Sequence, residues 1–158
     1  MLTKKEKSIV LVQGNPKEGF CKTLRKRDIK EVFILEGRPK TDSSRFKNFL
    51  KHKITPTLIS DNMAGFLFYK NLVKEIWIAY FEADAERALC NMGSTILGVL
   101  GKRHMVPVNL FPSNGTKMKS ANKDILYFQG KRIAPKGIKG YVPLTEWLSK
   151  EYITQIMK

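Results

Sequence analysis

The sequence predicts an α/β domain: one Rossmann-like unit, its sheet mostly parallel and its helices on both faces. Three observations point there. Short apolar runs alternate with segments of helical spacing, the pattern of successive βαβ units. The chain has 158 residues, 42% of them apolar, enough for one core of ordinary size. No internal repeat, low-complexity tract or linker divides it.

Taken in order, residues 8–12 (Ser-Ile-Val-Leu-Val) read as a buried first strand, stopped by Gln13-Gly14-Asn15-Pro16. Residues 17–27 form a helix with Phe20 and Leu24 on one face. Val32-Phe33-Ile34-Leu35 is a second strand running into Glu36-Gly37-Arg38-Pro39. Ser43 or Ser44 suits the cap of a helix carrying Phe46, Phe49 and Leu50. Thr57-Leu58-Ile59 is a third strand, introduced by Pro56, since proline suits a strand's start and not its centre. Asp61-Asn62 then caps a short helix whose apolar side is Ala64, Leu67 and Phe68. Residues 75–80 give a fourth strand, and a helix over 92–102 is expected to turn Ile96, Leu97, Val99 and Leu100 inward. A fifth strand at 108–111 follows Pro107, then a polar loop over 112–123, another strand at 125–128 and a terminal helix over 144–157. In such sheets ligands bind beyond the carboxyl ends of the strands, where Gly14, Arg38, Asp61 and Tyr80 all fall.

Several function classes are disfavoured. No apolar run approaches membrane-spanning length, and residues 1–7 carry charge with no apolar segment behind them, so neither a membrane span nor a signal peptide is read. Cys21 and Cys90 lie far apart without C-x-x-C spacing, the usage of reduced thiols in a cytoplasmic protein. With only His52 and His104 beside them, no metal site is expected, and no cofactor is either. Gly14-Asn15-Pro16-Lys17-Glu18-Gly19 is followed by Phe20-Cys21, where a P-loop needs Lys and Ser or Thr. Pro16 likewise breaks a dinucleotide fingerprint. Asp84 and Glu86 read as a solvated acidic turn. The formal charge of +15 invites a nucleic-acid partner, but no helix-turn-helix, RNP-like or zinc-finger pattern accompanies it, so a solvated basic surface is the simpler reading.

Four ordered stretches carry a family resemblance. They are Glu36-Gly37-Arg38-Pro39; Thr57-Leu58-Ile59-Ser60-Asp61-Asn62-Met63-Ala64-Gly65; Asn91-Met92-Gly93-Ser94 leading to Leu100-Gly101-Lys102 and Val106-Pro107; and residues 130–143, with Ile133-Ala134-Pro135 and Tyr141-Val142-Pro143. Together they resemble the C-terminal domain of the family that contains methylthioribose-1-phosphate isomerases, ribose-1,5-bisphosphate isomerases and the alpha, beta and delta subunits of initiation factor 2B. The departures bear on chemistry. The isomerases' catalytic cysteine aligns with Gly14, and their aspartate with Tyr80 or Phe81, depending on a one-residue gap. The lysine of the family's N-K pair is absent, and the family's N-terminal helical domain is not seen.

The resemblance implies an initiation factor 2B-like protein of translation initiation that binds a sugar phosphate or nucleotide, a partner protein, or both. Catalysis is not expected, because moving a proton between sugar carbons needs groups that glycine and an aromatic ring do not supply. The expected ligand-binding residues are Gly14, Asn15, Arg38, Asp61, Asn62, Tyr80 and Glu82, with Arg38 the anion-binding group. A homodimer is expected, with the apolar helix that follows Asp61 meeting the second copy. Two alternatives stand beside this reading: a diverged sugar-phosphate aldose–ketose isomerase using Glu82 and Cys21, and a basic nucleic-acid-associated protein.

Overall fold

The structure, a computed structural model, describes residues 6–29, 31–40 and 43–158. Strand β1 (Ile9–Gln13) is buried throughout. Its alternation sends Ile9 and Leu11 into one hydrophobic layer and Val10 and Val12 into the other, as the period of two requires. Parallel neighbours flank it: β2 (Val32–Leu35) on one side and β4 (Val73–Ala83) on the other. Beyond β2 lies β3 (Thr57–Ile59), and beyond β4 lies β6 (Val108–Pro112). The chain therefore winds outward from β1 in both directions. The order of strands reverses between β1 and β4, the position at which doubly wound sheets open a crevice for ligands.

The helices divide between the faces. Helix α1 (Gly19–Lys26) brings Phe20, Cys21 and Leu24, and α2 (Arg45–Lys51) brings Phe49, against Val10, Val12, Ile34 and Trp77. On the opposite face α3 (Met63–Tyr69) contributes Ala64, Leu67 and Phe68, and α4 (Ser94–His104) contributes Leu97. Gly101 in α4 is required by the packing: a Cβ there would stand 2.5 Å from Val108 Cγ2. Among the described residues no helix is long and apolar enough to cross a membrane.

Three expectations need correction, and one strand was not expected at all. The segment expected as a terminal helix is instead β9 (Thr145–Ser149), a 3-10 turn at Lys150–Tyr152, and β10 (Gln155–Ile156). Leu144, Trp147, Leu148 and Tyr152 imitate helical spacing, but two sheet edges recruit the segment. Strand β9 pairs antiparallel with β5 (Arg87–Asn91), and β10 pairs parallel with β6. Strand β5 was hidden in the sequence behind the turn at 84–87, where Asp84 Oδ1 accepts the N–H groups of Glu86 (2.8 Å) and Arg87 (3.0 Å). It joins β4 on the edge that β1 leaves free. In α4 only Leu97 of the four apolar residues is fully inward. Leu100 is partly buried, while Ile96 and Val99 are 65% and 47% exposed. The strand expected at 125–128 shrinks to β7 (Tyr127–Phe128), which follows a 3-10 turn and forms a separate two-stranded ribbon with β8 (Lys131–Arg132).

Candidate functional site

The switch point between β1 and β4 opens into a cavity of about 870 Å³. Its walls come from the turns that follow parallel strands. Gln13, Gly14 and Asn15 end β1; Gly37, Arg38 and Lys40 follow β2; Asp61 and Asn62 follow β3; and Phe81 belongs to the upper part of β4. Asn91, Gly93, Ser113 and Glu146 close the remaining side.

Of the residues expected from sequence, Gly14, Asn15, Arg38, Asp61 and Asn62 line this cavity. Tyr80 and Glu82 do not. Successive strand residues point to opposite faces, and a bulge between Tyr80 and Glu82 leaves Phe81 as the residue on the cavity wall. The Tyr80 hydroxyl instead donates to the carbonyl of Met157 at 2.8 Å. Glu82 is exposed and meets Lys117 Nζ at 3.4 Å. Cys21 also stands apart from the cavity, packed with Phe20 and Leu24 in the core under α1.

The backbone at Gly14 is built for close approach. Its φ of +87° lies in the left-handed region, and a Cβ would stand 2.7 Å from Asn91 Nδ2 and 2.9 Å from Ala79 Cβ. Asp61-Asn62 was expected to cap the helix. Asn62 occupies the cap position of α3 without a side-chain capping bond, and Asp61 Oδ1 accepts the N–H of Gly37 at 2.9 Å, tying the turn after β3 to the turn after β2. Arg38 lies over the ring of Phe128, its guanidinium carbon 4.3 Å from the centroid. That contact holds the side chain at the cavity's edge.

Gln13, Asn91 and Glu146 were not among the expected ligand-binding residues, and Phe81 entered only as the alternative to Tyr80 in the alignment. Gln13 Nε2 donates to Met92 O at 3.1 Å, while Gln13 Oε1 is buried and has no protein donor among the described residues. Glu146 closes the amino end of α4. One carboxylate oxygen accepts the N–H of Gly93 (2.7 Å) and of Thr95 (3.0 Å) and the Ser94 hydroxyl (3.2 Å), and the other accepts the Thr95 hydroxyl (2.9 Å). A carboxylate there satisfies orphan amides and opposes the positive end of the helix dipole. Neither cysteine is poised for chemistry. Burial pushes the Cys21 thiol up to about 11, aided by the Glu18 carboxylate. Burial likewise pushes Cys90 up to about 12, aided by Glu146. Among the described residues no three His, Cys, Asp or Glu side chains converge as a metal site would require.

Fold and cavity together define a doubly wound α/β domain with a ligand-sized crevice at its switch point. A methylthioribose-1-phosphate isomerase of Trichoplax adhaerens is 31% identical over 158 aligned residues, covering 88% of this chain and 42% of that protein. The fold matches the delta subunit of translation initiation factor eIF-2B from A. fulgidus with a TM-score of 0.80 at 18% identity, over 94% of this chain and 51% of that one. It matches 5-methylthioribose 1-phosphate isomerase from Pyrococcus horikoshii OT3 with a TM-score of 0.74 at 18% identity, over 95% and 49%. No family model matches the sequence. The chain spans about two fifths of the length of the curated relatives it matches. It resembles the C-terminal domain of the methylthioribose-1-phosphate isomerase and initiation factor 2B family.

Proposed function

We propose that the cavity binds a phosphorylated sugar or a nucleotide without isomerising it, in a protein that acts by association, as an initiation factor 2B-like subunit would. The observation that carries this reading is the chemistry of the cavity wall at the innermost turn. Gly14 and Phe81, which the resemblance sets at or beside the places of the isomerases' cysteine and aspartate, line it together with the amides of Gln13, Asn15 and Asn91. Amides position hydroxyl groups but do not relay protons at neutral pH. At the outer end, Arg38 supplies positive charge for a phosphate, and Asp61, held by Gly37, supplies an acceptor for ribose hydroxyls.

Titration calorimetry with ribose-1,5-bisphosphate, methylthioribose-1-phosphate and AMP tests this. At least one binds, Arg38→Ala weakens it about tenfold or more, and phosphorus NMR shows the bound sugar phosphate unchanged. Turnover of either sugar phosphate by purified protein would overturn the non-catalytic reading in favour of a diverged isomerase. Failure of all three to bind would overturn the ligand reading.

The association partner in this proposal is a second copy. On α3 the buried side is Ala64, Leu67 and Phe68, while Phe66 and Tyr69 are 50% and 79% exposed. On the same side of the sheet α4 exposes Val99. Exposed apolar side chains on two helices of one face are a usual mark of an interface.

A further inference from the structure

We propose that the segment 117–139, which overhangs the edge strand β3, binds single-stranded nucleic acid, with bases stacking on Tyr127 and Phe128 and phosphates meeting its lysines and arginine. The segment holds Lys117, Lys119, Lys123, Lys131, Arg132, Lys136 and Lys139 against a single acid, Asp124. That acid is neutralised from outside the segment, by Lys40 at 3.1 Å. Lys117 is partnered by Glu82 at 3.4 Å, which leaves the excess positive charge on and around the β7–β8 ribbon. A merely solvated basic surface would keep its large rings covered. Here Tyr127 and Phe128 are each 45% exposed at the tip of the ribbon.

Ribbon register adds the second feature. Tyr127 pairs with Arg132 and Phe128 with Lys131, so each ring shares a face with a cation directly across the ladder. Guanidinium groups brace both rings: Arg38 lies 4.3 Å from the Phe128 centroid and Arg132 lies 5.8 Å from that of Tyr127. Arg132 is itself oriented by donating to Ala134 O at 2.8 Å and Pro135 O at 3.3 Å. Half-exposed rings beside cations form the combination that holds single strands, in which stacking is tolerant of sequence and the backbone needs only charge. An acidic protein partner would use the lysines and leave the rings without a role. The groove between the ribbon and α2, about 450 Å³ and lined by Phe46, Leu58, Tyr127 and Phe128, provides room for an unstacked base.

The experiment is fluorescence anisotropy on the full chain, using a labelled oligouridylate of about twelve nucleotides, with heparin and oligoglutamate as polyanions that lack bases. The oligonucleotide binds with a log–log salt slope of about −2 to −4, corresponding to roughly three to six phosphates at about −0.7 each. Lys131→Glu with Arg132→Glu weakens binding of oligonucleotide and heparin alike by about tenfold or more. Tyr127→Ala weakens the oligonucleotide by about tenfold and leaves heparin unchanged. Because Phe128 also touches Arg38, Tyr127→Ala is the decisive variant. Thermal unfolding of each variant at the wild-type temperature shows that the ribbon, not the fold, was altered. Equal loss for heparin and oligonucleotide in Tyr127→Ala, or oligoglutamate competing as well as the oligonucleotide, would overturn the proposal. So would no binding at low salt.

Discussion

Placing a single methyl group on Gly14 tests whether the innermost turn of the cavity is as tightly specified as its geometry indicates. Alanine there must adopt a φ of +87°, and its Cβ would press on Asn91 Nδ2 at 2.7 Å and Ala79 Cβ at 2.9 Å. The left-handed backbone costs about 1–2 kcal/mol for a residue with a side chain. Crowding a packed wall adds about 1–3 kcal/mol. The reduced freedom of the unfolded chain returns about 0.4–1 kcal/mol. The net expectation for Gly14→Ala is a loss of about 2–4 kcal/mol, which in a domain of this size lowers Tm by about 5–15 °C. Gly137→Ala is the internal control. It has a similar φ of +94° and nothing within 4 Å of its Cβ, so it carries the backbone term alone and lowers Tm by only a few degrees. Differential scanning calorimetry of both variants decides the matter. Equal shifts would refute the crowding argument.

Glu146→Ala removes four accepted hydrogen bonds from the start of α4 and is expected to lose about 2 kcal/mol, with Glu146→Gln losing about half of that; an unchanged denaturation midpoint would show that the cap is not a stabilising element. Both thiols should resist alkylation at pH 8 in the folded protein and react once it is unfolded, a difference read by mass spectrometry. Because burial raises the thiol of Cys21 from an ordinary 9.0 to about 11, the folded state binds that proton more tightly than the unfolded chain. Its contribution to stability is complete below about pH 8.5 and is lost as pH rises towards 11, so urea midpoints should fall through that alkaline window. Light scattering at micromolar concentration should give twice the 18.1 kDa chain mass. An interface of at least about 1,200 Å² is expected for such a dimer; Phe66→Glu should return the monomer, and a wild-type monomer would remove the proposed face.

The parallel part of the sheet was legible because each strand, from residues 8–12 to 108–111, is a short apolar run stopped by a turn sequence. The antiparallel additions were not. Strand β5 has only Ala88-Leu89-Cys90 as a buried run, and its register depends on β9, far away in the chain. The tail at 145–156 carried a helix-like spacing that the open sheet edges overrode. The same distinction runs through the candidate site. Arg38 and Asp61 sit in turns that follow legible strands and both reach the cavity. Tyr80 was the natural reading of the fourth strand's end, yet a bulge visible only in three dimensions gives the wall to Phe81. Glu146 had no local signal at all, since the amides it serves lie more than fifty positions earlier. Such capping from a distant strand is a tertiary event, and no cap motif in sequence announces it.

The carboxylate at the head of α4 also determines how a ligand can enter. A helix start pointing into a crevice is ordinarily where a phosphate comes to rest. In this chain Glu146 already sits there as a tethered internal anion, in direct contact with the amides of Gly93 and Thr95. A mobile phosphate would have to displace a competitor present at very high effective concentration. Under the proposed function the open place for negative charge lies across the cavity at Arg38, so a sugar phosphate would sit with its charged end towards β2 and its sugar towards Gly14 and Phe81. The polarity of such a ligand would then follow from which of the two anion positions the protein has filled for itself.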